Sequence, residues 1–170
     1  INPTRTGIID ALKAMGGNII IENLREDDEP IADLIIKSSK LKGATFSGDI
    51  IVRMIDEIPI LVLSATQAEG ETVIRDASEL KVKESDRINT TVNEFRKIGA
   101  ELFALDDGFV ISGKSKIKGG ECESYGDHRL AMSLAIAGLI SEKGITINGI
   151  ECVNTSFPQF WQILSLLNCK

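Results

Sequence analysis

Aromatic residues make up only 5% of this 170-residue sequence, with one tryptophan and one tyrosine. No platform for stacking nucleobases is therefore visible. A single histidine, His128, leaves no second imidazole for a zinc site. The three cysteines, Cys122, Cys152 and Cys169, have an odd count and no metal-ligand spacing. Reduced thiols in a cytoplasmic protein account for them most simply. No apolar run approaches the roughly 20 residues of a membrane helix. The start, Ile1-Asn2-Pro3-Thr4-Arg5, has neither Met nor a signal-peptide pattern, so the expectation is a chain cut from a longer one. Positive charge is outnumbered, 19 Lys and Arg against 25 Asp and Glu, for a formal net charge of −6. That balance argues against a nucleic-acid partner.

What is present is ordinary for a globular protein, 43% hydrophobic and 26% charged. The length suits one sizeable domain or two small repeats sharing a core. Apolar residues at Ile8, Ile9, Leu12 and Met15 share a helical face, stopped by Gly16-Gly17. Residues 18–22 and 32–38 read as strands around a charged turn at 25–30. A buried helix at 59–67 and a strand at 72–74 follow. Ile88, Val92, Phe95 and Ile98 then mark a second amphipathic helix, ended by Gly99. Residues 101–103 and 109–112 read as a hairpin across Asp106-Asp107-Gly108. An Ala-rich buried helix at 130–140 and a strand at 145–147 come next. A last helix places Phe157, Phe160, Trp161, Leu164 and Leu167 on one side, a stripe expected in the core.

The order helix–strand–strand–helix–strand thus occurs twice. Met15-Gly16-Gly17-Asn18-Ile19 matches Ile98-Gly99-Ala100-Glu101-Leu102, and Ala68-Glu69-Gly70-Glu71-Thr72-Val73 matches Glu142-Lys143-Gly144-Ile145-Thr146-Ile147. The offsets of the two matches differ, so the copies differ by a deletion. The expectation is an α/β chain, one partial domain over 1–170 with approximate repeats 1–81 and 82–170.

Charge gathers where helices begin. Asp56-Glu57 precedes Pro59, which fits a first helical turn. Tyr125-Gly126-Asp127-His128-Arg129 opens the second buried helix. Lys81-Val82-Lys83-Glu84-Ser85-Asp86-Arg87 opens the helix of Ile88, with Ser85 or Asp86 as N-cap. Helix N-termini suit phosphate or carboxylate, and the three charged starts could converge on one edge. Plainer readings stand beside this one. Asp56 and Asp127 could simply cap helices. Lys83, Glu84 and Arg87 could form an exposed network worth about 0.2–0.5 kcal/mol per pair. His128 could be structural. Arg5 and the run 37–42 read as solvated.

Leu80-Lys81-Val82-Lys83-Glu84-Ser85-Asp86-Arg87-Ile88 resembles a signature of the 5-enolpyruvylshikimate-3-phosphate (EPSP) synthase family. Gly126-Asp127-His128-Arg129-Leu130-Ala131-Met132 resembles its second signature. Asn2-Pro3-Thr4-Arg5-Thr6-Gly7, Ile55-Asp56-Glu57-Ile58-Pro59 and Ser156-Phe157-Pro158 also match, in the family's order. The resemblance spans essentially the whole chain but only the C-terminal portion of a complete synthase. It implies βαβαββ-type units of the enolpyruvyl transferase fold, with helices buried beneath mixed sheets and the site in a cleft between two domains.

The resemblance further implies transfer of the enolpyruvyl group of phosphoenolpyruvate to the 5-hydroxyl of shikimate 3-phosphate, with release of phosphate and no metal or organic cofactor. The catalytic candidates it implies are Asp56, Lys83 and Glu84. Asp56 and Lys83 would contact shikimate 3-phosphate, Arg87 and Arg129 would bind phosphoenolpyruvate, and His128 would line the site. Guanidinium forks suit a substrate bearing phosphate and carboxylate. Paired carboxylates can do opposite proton work if their surroundings separate their pKa values. The missing N-terminal portion would supply further lysine, arginine, serine and glutamine contacts, so this chain alone is expected to be inactive. Thr155, where some members carry lysine, resembles the branch of reduced sensitivity to glyphosate, the inhibitor that targets the family. The rival readings are a portion of the sister transferase acting on UDP-N-acetylglucosamine, and a non-catalytic fold fragment.

Overall fold

Two apolar helices lie back to back at the centre, and the strands are arranged around them. The computed structural model describes residues 1–26 and 29–167. In chain order the elements are α1 (Gly7–Ala14), β1 (Asn18–Arg25), β2 (Ile31–Lys37), β3 (Thr45–Phe46), α2 (Asp49–Val52), α3 (Ile58–Thr66), β4 (Glu71–Ile74), α4 (Arg87–Lys97), β5 (Glu101–Leu105), β6 (Gly108–Ser112), β7 (Gly120–Glu123), α5 (His128–Gly138), β8 (Ile145–Asn148), α6 (Val153–Ser156) and α7 (Phe160–Leu167). Short 3-10 turns occupy Pro3–Arg5, Ile55–Glu57, Ser78–Val82 and Ile150–Cys152. Among the described residues, no helix is long and apolar enough to cross a membrane.

The expected helices and strands form, with ends shifted by up to three residues. The charged turn expected at 25–30 includes Asp27 and Asp28, which lie outside the described residues, as does Cys169. Two strands have no counterpart in the sequence expectation. β3 has only two residues, and β7, Gly-Glu-Cys-Glu, has no apolar alternation. Both are recruited by parallel pairing to a distant strand, β3 with β4 and β7 with β8. β3, β4, β6 and β5 make a mixed four-stranded sheet in that order, and β1 and β2 pair antiparallel on their own.

α3 is apolar nearly all round, with Ile58, Leu61, Val62, Leu63 and Ala65 buried, as an enclosed helix requires. It packs on α5, which buries Leu130, Ala131, Leu134, Ala135 and Ala137. Small residues there let the helices approach. α4 is amphipathic; Ile88, Val92 and Phe95 face the core, each contributing about 1.5–3 kcal/mol by leaving water. Asp86 caps its first turn by accepting from the Asn89 N–H at 3.2 Å. Gly99 ends it at φ +102°, where a Cβ would lie 2.7 Å from the Lys116 carbonyl oxygen.

The terminal apolar stripe corrects the sequence expectation. No residue of α7 is buried, Leu167 is 73% exposed, and Phe157 lies outside the helix and is exposed. The stripe has the periodicity of a core face, yet Phe160, Trp161 and Leu164 are only half-buried and Phe157 and Leu167 are exposed. β1 and β2 are alike in this. Ile20, Ile21, Leu34, Ile35 and Ile36 are all exposed, on both faces of the ribbon.

Candidate functional site

The three charged helix starts meet. Asp56 sits on the 3-10 turn leading into α3, Arg87 is the first residue of α4, and Asp127 is the N-cap of α5. Asp127 caps as the plain reading expects, Oδ1 accepting from the Arg129 and Leu130 N–H groups at 2.9 and 3.4 Å. Its other oxygen accepts from Arg87 Nε at 2.7 Å and from the Ser85 hydroxyl at 3.0 Å. One carboxylate therefore serves both a cap and an ion pair.

Arg87 is the hub. Its side chain is 1% exposed and that of Asp127 is 0%. Besides Asp127, its Nη1 donates to Asp56 Oδ1 at 3.2 Å and its Nη2 to Glu84 Oε2 at 2.5 Å. The exposed-network reading of this segment thus fails at Arg87, because burying a guanidinium requires carboxylates on its donors. Burial works against the charge of Arg87, but the Asp127, Glu84 and Asp56 carboxylates outweigh it and raise the pKa further. Burial likewise pushes Asp127 up, and the hydrogen bond and charge of Arg87 more than offset this and hold it below the ordinary value.

Arg129 and Arg5 face outward. Arg129 Nη1 donates to Glu57 Oε1 at 3.1 Å and to the Asp56 carbonyl at 3.3 Å, and its Nη2 lies 3.5 Å from Asp56 Oδ2. Arg5 is solvated, as read from sequence, at 47% exposed, but it also donates to Asp56 Oδ2 at 2.8 Å and lies 3.8 Å from Glu57. The Asn2 side chain shapes the turn carrying it, accepting from the Thr4 N–H at 2.9 Å. Burial pushes the Asp56 pKa up; the Arg5 hydrogen bond, the Arg129 charge and the Arg87 hydrogen bond together pull it lower.

The remaining candidates sit at the rim. His128 Nδ1 is 3.9 Å from Glu84 Oε1. Lys83 stands apart, its ammonium held by Glu79 rather than by the cluster. Sequence reasoning places Glu57 in the charged start but not in the site. It belongs there, pairing with Arg129 while its Oε2 is buried without a partner. Ser85, suggested by the sequence only as a cap, donates instead to Asp127.

Asp56, Glu57 and Arg129 close one end of a groove of about 270 Å³, lined otherwise by Ile60, Met132, Ser133, Ile136, Phe157 and Phe160. The apolar walls offer no anion site, so the charged chemistry is confined to that end. Four carboxylates (Asp56, Glu57, Glu84, Asp127) stand against three guanidiniums (Arg5, Arg87, Arg129). An arriving anion must compete with the carboxylates already paired. Arg5 and Arg129, 47% and 28% exposed, have the open edges for that exchange.

The architecture has a known counterpart. The chain superposes on an enolpyruvyl transferase, NikO from Streptomyces tendae, with a TM-score of 0.74 at 20% identity, covering 96% of this chain and 35% of that one. On the EPSP synthase structure from Acinetobacter baumannii the TM-score is 0.93 at 46% identity, covering 98% and 39%. The fold is that of the enolpyruvyl transferases. The family model of EPSP synthase (3-phosphoshikimate 1-carboxyvinyltransferase) matches residues 1–164. Relatives bearing the name 3-phosphoshikimate 1-carboxyvinyltransferase include those of Bacillus cereus (strain G9842), 55% identical over 168 residues, and Thermoanaerobacter sp. (strain X514), 51% identical over 168 residues. The chain belongs to the EPSP synthase family. It spans about 40% of the length of these relatives, covering 98% of itself and 39–40% of them.

Proposed function

We propose that this chain is the C-terminal portion of an enzyme that transfers the enolpyruvyl group of phosphoenolpyruvate to the 5-hydroxyl of shikimate 3-phosphate, releasing phosphate. The observation that carries this is the meeting of Asp56, Glu84, Arg87, Asp127 and Arg129 at the starts of three helices. The placement within the parent rests on the matching sequence blocks.

In the reaction, the 5-oxygen bonds to C2 of phosphoenolpyruvate while C3 gains a proton. The tetrahedral intermediate then loses phosphate from C2 and a proton from C3. Asp56 takes the hydroxyl proton and Glu84 handles the proton at C3, with Lys83 as a second proton carrier near shikimate 3-phosphate. The guanidiniums keep Asp56 ionised, which makes it available but weakly basic. When Arg129 turns to the phosphate and carboxylate of the substrate, Asp56 loses a cationic partner and gains basicity. Arg87 meets phosphoenolpyruvate by exchanging Glu84, its most exposed partner, while Asp127 keeps the guanidinium in place. His128 lines the rim beside Glu84.

The 170-residue chain alone is inactive in this reading, since one wall of the cleft belongs to the missing N-terminal portion. The bare ribbon of β1 and β2 and the exposed α7 are consistent with a partial domain. The repeats 1–81 and 82–170 within it are supported by the recurring element order. The thiols of Cys122 and Cys152 are free, which fits the reducing cytoplasm.

The test is phosphate release by the complete parent with phosphoenolpyruvate and each acceptor. Release with shikimate 3-phosphate is expected. Release only with UDP-N-acetylglucosamine would assign the chain to the sister transferase. Turnover by the isolated chain would overturn its inactivity.

A further inference from the structure

Two turns along α4 from Arg87, Glu94 is fully buried, and the transfer chemistry makes no use of it. Residues so spaced lie on the same face of a helix. The Glu94 carboxylate is saturated with donors. Oε1 accepts from the Tyr125 hydroxyl at 2.9 Å, Oε2 accepts from the Glu123 N–H at 2.9 Å, and the Lys97 ammonium bridges both at 2.8 and 2.9 Å.

Glu123 and Tyr125 begin the turn that delivers Asp127 and Arg129. This turn is not one the chain adopts readily: Tyr125 and Gly126 have φ of +55° and +71°. Packing does not impose it on Tyr125, which is 45% exposed. Its anchor is the hydrogen bond of its phenol to Glu94. Ser124 secures the same turn from the far side, donating to the Gly149 carbonyl at 2.8 Å and accepting from the Gly126 N–H at 3.1 Å.

We propose that Glu94 is a positioning residue of the candidate site, which with Arg87 clamps the turn 123–127 to α4 at both of its ends. Arg87 holds the turn's last residue, Asp127, and Glu94 holds its first and third. The distance from Asp127 to Arg87, and the place where Arg129 starts α5, follow from both grips. A carboxylate is required because it accepts from all three donors at once. A Gln side chain would turn its NH2 toward an N–H, O–H or ammonium that needs an acceptor. Burial pushes the Glu94 pKa up, and Lys97, the Glu123 N–H and Tyr125 more than compensate, so it stays ionised. The other titratable groups facing it are Lys97 and Cys122, whose thiol burial holds up at about 11.

Tyr125 is the only tyrosine of the chain, so its ionisation is read directly by near-ultraviolet absorbance of the 170-residue chain. The hydrogen bond to Glu94 raises its pKa above that of an ordinary phenol. Glu94→Gln is expected to lower the titration midpoint; an unchanged midpoint would overturn the clamp. In the complete parent, Glu94→Gln and Tyr125→Phe are each expected to raise KM for phosphoenolpyruvate about ten-fold or more, with a smaller change in kcat, as misplaced binding groups do. Tyr125→Phe removes only one hydroxyl, from a residue that is itself half-exposed, so it keeps this arm readable where Glu94→Gln fails to fold. Unaltered KM in both variants would overturn the positioning role. The kinetic arm rests on the enolpyruvyl-transfer reading and the tyrosine arm does not. Loss of that reading would show as a wild-type parent inert toward phosphoenolpyruvate, whatever the titration gives.

Discussion

Arg87 and Asp127 are joined side-on in the interior, Nε to Oδ2 at 2.7 Å and Nη2 to Oδ1 at 3.4 Å, with neither side chain reaching solvent. Such a pair adds little net stability against an apolar replacement, but half of it is costly to keep. Arg87→Ala and Asp127→Ala are each expected to destabilise the chain by about 3–5 kcal/mol. The double variant should lose less than the sum of the two. Urea unfolding of the three variants measures this, and additivity would show that the pair is not coupled.

Acid should weaken the fold through the same pair. Asp127 and Asp56 have folded-state pKa values below their ordinary ones. Their stabilisation is therefore present above the unfolded-state value of about 3.9 and is lost as pH falls through the folded-state values. Unfolding free energy should be level from neutral pH down to about 5 and decline below about 4. Asp127→Asn, which can still cap α5, should flatten that decline.

Arg129 and Arg87 differ in kind. Arg129 is partly open and bonds Glu57 and the Asp56 carbonyl. In the complete parent, Arg129→Ala is expected to lower kcat/KM for phosphoenolpyruvate by about 2–5 kcal/mol while leaving the fold intact. Steady-state kinetics beside a thermal melt separates the two effects.

Arg5 lies largely in water, so its pair with Asp56 should contribute no more than about 1 kcal/mol to stability. Its effect belongs to proton affinity. Arg5→Ala removes a hydrogen bond that lowers the Asp56 pKa, so the acid limb of the parent's kcat/KM profile should move to higher pH. An unmoved limb would separate Arg5 from the carboxylate we propose as the base.

Phe95 is fully buried where α4 meets the core. Phe95→Ala should cost about 3–5 kcal/mol, read as a lowered urea midpoint.

Much of the site is legible in the sequence. The charged starts at Asp56, Lys83–Arg87 and Asp127–Arg129 stand out because acids and bases precede apolar helices, and all but Lys83 converge. Arg5 is not legible, since only the folded chain brings its turn to Asp56. Glu94 is hidden for another reason. It lies within the stripe Ile88, Val92, Phe95 and Ile98 and looks like a solvated helix glutamate; its burial depends on β7, a strand with no apolar alternation. The misreading of the last helix is the converse. Periodicity tells which face of α7 is apolar, not whether the covering partner lies in the same chain.

The ribbon of β1 and β2 has a practical consequence. Among the described residues both of its strands are edge strands, each with one side unpaired, and isoleucines and leucines stand on both faces. That is a template for adding another chain's strand. Produced without the rest of its parent, this polypeptide is expected to associate with itself through that ribbon. Ile36→Lys, at the most exposed of these positions (68%), is expected to reduce that association.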